Sequence, residues 1–148
     1  MQGRLYSYRG FTIEVVYKSG RIAQIRVLDR RPAGLPGLPQ NLRVDISDFT
    51  PFERAVMGKL MEVPPGRVVT YGMLASAAGY PGAARAVGRV MAKNPYAVVV
   101  PCHRVVRSDL HPGSYAYGTG VKRRLLLAEG VRFNGDRISR KHIHRFKV

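Results

Sequence analysis

Cysteine occurs once in these 148 residues, tryptophan not at all, and acidic residues only nine times. A single thiol cannot close an internal disulfide or share a metal with other thiolates. Cys102 is therefore either a small buried hydrophobe or a nucleophile. No apolar run is long enough to cross a bilayer, and the N-terminus lacks the charged-then-apolar layout of a secretory leader. These absences predict a soluble, cytoplasmic chain in a reducing compartment, with no membrane partner. The nine acids face 25 lysines and arginines, a formal charge of +16. Such a surface attracts polyanions, nucleic acid first. Arginine outnumbers lysine, and its planar fork suits phosphates and base edges. Apolar residues make up 45% of the chain, enough for the core of one domain or two small ones.

The patterning divides the chain. Leu5 to Leu28 reads as strands, with alternation from Phe11 to Tyr17, a turn at Lys18–Arg21 and alternation again from Ile22. Arg31 to Gln40 carries three prolines and two glycines, which marks a stiff linker or crossing loop. The remainder is helical. Thr50-Pro51-Phe52-Glu53 has the form of a capping box, and Phe52, Val56, Met57, Leu60 and Met61 follow at core-facing helical spacing. Tyr71 to Ala78 and Ala83 to Lys93 predict two short helices around Gly79-Tyr80-Pro81-Gly82, a plausible helix-turn-helix. Ala97-Val98-Val99-Val100 reads as a strand leading to Cys102. A glycine-rich loop, Gly113 to Gly120, precedes a last helix that ends at Glu129-Gly130, and a basic tail follows.

A thiol becomes a useful nucleophile only as thiolate, and a neighbouring base or positive field lowers its pKa. His103 adjoins Cys102 but on an extended strand would point to the other face, so a bridging water is needed unless the strand breaks there. Glu129 is the acid best placed to orient His103. His111, His142 and His144 have no partner cysteines at ligand spacing, so neither metal nor cofactor is expected.

Five motifs stand in order: Tyr71-Gly72-Met73-Leu74-Ala75, Ala84-Arg85-Ala86-Val87-Gly88, Asn94-Pro95, Pro101-Cys102-His103-Arg104-Val105 and Leu126-Leu127-Ala128-Glu129-Gly130. Over roughly Thr50 to Phe133 the chain resembles the O6-alkylguanine-DNA alkyltransferase family. The resemblance implies an α+β fold. A small N-terminal antiparallel β domain, ribonuclease-H-like, would span residues 1–45 with its linker. A mainly helical, winged-helix-like domain with the helix-turn-helix would span 46–148. It also implies the activity: a single-turnover transfer of the alkyl group from O6-alkylguanine in double-stranded DNA to Cys102, after the base is flipped out, by a protein expected to be a monomer. Cys102 would attack, His103 would take its proton through a water, Glu129 would orient His103, and Tyr71 would donate to the departing purine. The carbonyls of Val105 and Cys102 would accept its exocyclic amine. Tyr115 would wall the pocket, and Asn94 would tie the reading helix to the cysteine segment. By the same resemblance Arg85 would fill the gap left by the base. Ala84, Ala86 and Gly88 would let the helix lie close in the minor groove, while Arg89, Lys93, Arg104 and Arg107 would hold phosphates.

One loop departs from the family pattern. Tyr115-Ala116-Tyr117-Gly118 stands where many relatives carry Tyr-Ser-Gly-Gly. Ala116 offers only its backbone N–H toward O6, and the Tyr117 ring is expected to narrow the pocket for bulky adducts. Lys122 matches a family lysine or is a solvated first-turn charge. Two other readings stay open. One is a non-catalytic lesion sensor or helix-turn-helix regulator, disfavoured by the cysteine. The other is a Cys-His hydrolase, which would need an oxyanion hole and a third orienting residue.

Overall fold

A computed structural model describes residues 1–147. Three antiparallel strands open the chain: β1 (Gln2–Tyr8), β2 (Phe11–Lys18) and β3 (Arg21–Leu28), in the order β1-β2-β3. Both hairpins turn on two residues of positive φ, Arg9-Gly10 and Ser19-Gly20, the handedness that matches strand twist. Neither edge of the sheet is bare. The linker pairs with β1, Ser7 donating to Pro36 and Leu38 to Ser7. The segment Pro95–Ala97 pairs with β3, where Ile25 N–H meets the Pro95 carbonyl at 2.8 Å and Ala97 N–H the Ile25 carbonyl at 3.2 Å. Capped edges of this kind do not template aggregation.

Helix α1 (Pro51–Leu60) starts at the Thr50–Glu53 capping box, with both reciprocal bonds formed. Val56, Met57 and Leu60 are buried, whereas Met61 is 40% exposed because the helix has already ended at Leu60. Strand β4 (Val69–Thr70) leads straight into α2 (Tyr71–Ala77), whose N-cap Thr70 hydroxyl accepts from Met73 N–H. Gly79, at φ 93°, stops α2 and lets Tyr80 N–H reach the Ala75 carbonyl, a Schellman closure. Helix α3 (Ala84–Lys93) packs on α2 and buries Val87, Val90 and Met91. Strand β5 (Val105–Val106) lies parallel to β4, α4 spans Thr119–Ala128, and a hairpin of β6 (Phe133–Asn134) and β7 (Arg137–Ile138) follows. The tail then extends the β4–β5 pair, with Val68 bridged to Ile143.

Ile13, Val15, Ile25 and Val27 of the sheet share one buried cluster with Val56, Met57, Leu74, Val87, Val105 and Leu125. A smaller cluster under the tail holds Val68, Val106, Leu126 and Ile138.

The stretch expected to be a strand before the cysteine is not one. Ala97–Val99 forms a three-residue γ-turn, in which Val99 N–H bonds the Ala97 carbonyl at 2.8 Å and Val98 sits at φ 71°. That hand of γ-turn is rare, and a β-branched residue adopts it at a cost of order 1–3 kcal/mol. A second γ-turn follows, of the ordinary hand, with Pro101 at φ −80° and ψ 67° and Cys102 N–H on the Val100 carbonyl. The apolar run is continuous because it is buried, and proline and packing override its strand propensity.

Candidate active site and nucleic-acid interface

The two γ-turns deliver Cys102 to the first position of a 3₁₀ helix, Cys102–Arg104. Successive side chains of a 3₁₀ turn splay about a third of a revolution apart. Cys102 therefore faces one way while His103 and Arg104 turn inward. Cys102 is 7% exposed and lines a cavity of about 240 Å³ with Tyr71, Gly88, Met91, Ser114, Tyr115 and Ala116. Next to it lies an open groove of about 570 Å³ along α3, lined by Ala84, Arg85, Arg107, Gly113 and others. Cavity and groove share Tyr71, Gly88 and Ser114. A Cβ at Gly88 would sit 4.0 Å from the Tyr71 ring, an ordinary contact, so the glycine keeps this wall low without being sterically required.

Behind the cysteine, Glu129 is fixed as the C-cap of α4 by a second Schellman closure: Gly130, at φ 96°, lets Val131 N–H reach the Leu126 carbonyl. Its carboxylate is a hub. Arg104 grips both oxygens, Nε to Oε1 at 2.9 Å and Nη2 to Oε2 at 2.7 Å, and Arg104 Nη1 is anchored on the Val63 carbonyl at 2.8 Å. His103 Nε2 lies 3.0 Å from Oε2, and the Tyr8 hydroxyl donates to the same oxygen. Burial alone would raise the Glu129 pKa. The hydrogen bonds from Arg104 and His103 and the positive charge of Arg104 outweigh it and hold the carboxyl far below the usual range. An ionised Glu129 can only accept, so His103 carries its proton on Nε2. Nδ1 is left as the acceptor, buried and with no partner among the described residues. Burial also keeps His103 neutral, against the pull of Glu129.

Burial likewise pushes the Cys102 thiol up, opposed by a hydrogen bond from Asn94 and the charge of Lys122. Lys122 is 1% exposed and donates to the carbonyls of Val105 (2.8 Å) and Ser114 (3.2 Å), pinning the glycine loop to β5. Burial lowers its pKa from 10.5 to about 8. Its reading as a solvated charge is thus set aside. Tyr71 and Tyr115 are pushed up by burial first and the Cys102 charge second, so both keep their hydroxyl protons.

The structure relocates several expected residues. Arg104 is 6% exposed and fully engaged with Glu129, Val63 and Tyr8, so it cannot hold a phosphate. Tyr117 stacks edge-on against Tyr115 and points its hydroxyl toward the Ile25 carbonyl; it does not line the cavity, and its expected narrowing of the pocket falls away. Val105 is fully buried behind the cavity wall, its carbonyl occupied by Lys122. Asn94 does not line the cavity either. Its amide donates to the Val100 carbonyl at 2.7 Å and its oxygen accepts from Tyr96 N–H, stapling the end of α3 to the cysteine segment. Ala84 and Gly88 are half-buried along the groove, whereas Ala86, also half-buried, does not line it because it lies two residues from each and so on another face of the helix; Arg85, Arg89, Lys93 and Arg107 are exposed. Tyr8 was missed, because nothing local marks a strand tyrosine as the partner of an acid 121 residues away. His142 is structural: Nε2 accepts from Arg132 N–H at 2.9 Å, and Nδ1 lies 3.1 Å from the Gly66 carbonyl. Among the described residues no helix is long and apolar enough to cross a membrane, and no three His, Cys, Asp or Glu side chains come together.

The sequence and fold have known counterparts. A methylated-DNA--protein-cysteine methyltransferase of Methanothermobacter thermautotrophicus is 35% identical over 114 residues, covering 75% of this chain and 64% of the relative. The Mus musculus protein of that name is 46% identical over 105 residues, covering 69% and 50%. The chain thus spans between half and two thirds of these relatives. The Mycobacterium tuberculosis OGT structure in complex with DNA superposes with a TM-score of 0.66 at 26% identity, covering 86% of this chain and 91% of that one. Residues 51–131 match the DNA-binding domain of 6-O-methylguanine DNA methyltransferase, and the chain belongs to that family.

Proposed function

We propose that this protein repairs DNA by moving the alkyl group of O6-alkylguanine onto Cys102, once per molecule. The observation that carries the reading is a lone thiol lining a cavity that adjoins the groove of a cationic helix. The O6 atom of guanine lies inside the stacked duplex, so the nucleotide must swing out to reach that thiol. Arg85, exposed on the groove, fills the gap, and Arg89, Lys93 and Arg107 hold phosphates. The first turn of α3 has no side-chain cap at Ala83, which leaves its N–H groups for a phosphate oxygen.

In the reaction the Cys102 proton passes through a water to His103 Nδ1. The thiolate attacks the alkyl carbon in line, an S–C bond forms and the C–O6 bond breaks. The electron pair stays on guanine, which regains a proton. Tyr71, protonated and on the boundary between cavity and groove, donates to the leaving purine, and Ala116 N–H faces O6. The thioether is stable, so the protein is spent.

The sheet and linker, residues 1–45, form the small ribonuclease-H-like unit, and residues 46–148 form the winged-helix-like unit. The three-stranded antiparallel sheet and the α2–α3 pair followed by β6–β7 support this division.

The test is the intact mass of the protein after mixing with a duplex carrying O6-methylguanine. A gain of one methyl, lost in Cys102→Ala, is the expected result. Lesion binding without mass gain refutes transfer and leaves a lesion sensor.

A further inference from the structure

We propose that Tyr8 is a positioning residue for the proton transfer at Cys102: its hydroxyl, donated to Glu129 Oε2, limits how strongly that carboxylate pulls on the His103 imidazole. The inference rests on the reading above that His103 takes the Cys102 proton. Its ground is a count of donors. Oε1 receives one, Arg104 Nε. Oε2 receives three: Arg104 Nη2 at 2.7 Å, His103 Nε2 at 3.0 Å and the Tyr8 hydroxyl. A carboxylate oxygen offers two in-plane lone pairs, so three donors compete.

Arg104 wins that competition. It is bidentate and anchored on Val63, so the carboxylate stays in place whether or not Tyr8 is present. The contest is therefore between Tyr8 and His103. The Tyr8 hydroxyl also accepts from Arg104 Nη2 at 3.3 Å, which polarises its O–H toward Glu129. Burial, then the Glu129 carboxylate, push the Tyr8 pKa up to about 12, so it remains a donor at every working pH. Tyr8 belongs to β1, outside the segment 51–131 that the family comparison matches. The sheet thereby acts on the chemistry through one hydroxyl.

Loss of that hydroxyl frees Oε2 for the imidazole. The imidazolium is then better stabilised, and Cys102 gives up its proton at lower pH. Cys102 is the only thiol in the chain. Uptake of one carbamidomethyl group from iodoacetamide across pH 6.5–10.5 therefore reports it alone, without DNA.

In Tyr8→Phe the midpoint should fall by about half a pH unit or more. Tyr8→Ala should show the same fall although it loses the ring and melts lower, and Tyr8→Phe in a His103→Gln background should show none. An unchanged or raised midpoint in Tyr8→Phe overturns the proposal, as does a shift that persists without His103. Should Tyr8→Ala fail to fold, the other two variants decide. Methyl transfer by the unaltered protein tests the repair reading separately, so a failure there with the thiol shift intact is a failure of that reading alone.

Discussion

Arg104→Met tests the hub most severely. The substitution keeps much of the side-chain volume but removes four contacts: two to Glu129, one to the Val63 carbonyl and one to Tyr8. The Glu129 side chain has no exposure at all. Removing one member of a buried pair costs about 3–5 kcal/mol, because the other charge is left uncompensated. Taking about 4 kcal/mol, and an unfolding entropy near 0.3 kcal/mol/K for a chain of this length, the melting temperature should fall by about 13 °C. Acid should shrink the deficit. Without Arg104, burial raises the Glu129 pKa above its unfolded value. The group then stabilises the fold below about pH 4, where it is neutral in both states, and that contribution is lost as pH rises through the folded pKa. Urea unfolding at pH 7 and pH 4.5, followed by far-UV circular dichroism because the chain has no tryptophan, measures both effects. Arg104→Met/Glu129→Leu should recover most of the loss, since an apolar pair replaces a buried ion pair at little cost. A single-variant loss under about 1 kcal/mol, or a double variant as unstable as the sum, refutes the reasoning.

Four further outcomes follow from the same geometry. Lys122 titrates near 8 in the folded chain and near 10.5 unfolded, so the unfolded state binds more protons between those values and stability should rise with pH across that window; Lys122→Met should flatten the rise in denaturant titrations. Arg85→Ala should slow methyl transfer from duplex about tenfold or more while leaving transfer from the free modified base alone, because only the duplex needs its gap filled. Tyr117→Gly should cost about 2 kcal/mol of stability through lost packing, yet leave the ratio of benzyl to methyl transfer unchanged, since the ring faces Tyr115 and the sheet. With Arg89, Lys93 and Arg107 each on a phosphate, log affinity for undamaged duplex against log salt should slope at about −2.7, and Lys93→Ala should reduce its magnitude by about 0.9.

What the sequence disclosed and what it hid divide along a physical line. Local signals were legible. The Thr50–Glu53 box, the Ser19-Gly20 turn and the glycines that end α2 and α4 act over a few residues and appear where the pattern puts them. The helix pair was readable too, from its small residues and its stops. Side-chain direction was not. Arg104 is one more arginine in a basic chain, and only the 3₁₀ turn reveals that it faces inward to Glu129. Ala97 to Val100 has the composition of a strand, and its γ-turns depend on Pro101, on Asn94 and on the pairing of Tyr96 with β3. Tyr117 could be judged only against the family pattern, which says nothing of which way a ring unlike the usual glycine would swing.

The shared core limits how the molecule can be cut down. The segment matched to the family begins at Pro51, yet Ile13, Val15 and Ile25, fully shielded in the intact chain, rest on the same cluster as Val56 and Leu125. A shortened version starting after the linker would keep the thiol, the imidazole and the acid but present a bare oily wall to water, along with a carboxylate missing one donor. Dividing the gene there would give a fragment that clumps and whose sulfur titrates differently, so the strands are as much a part of the working protein as the helices.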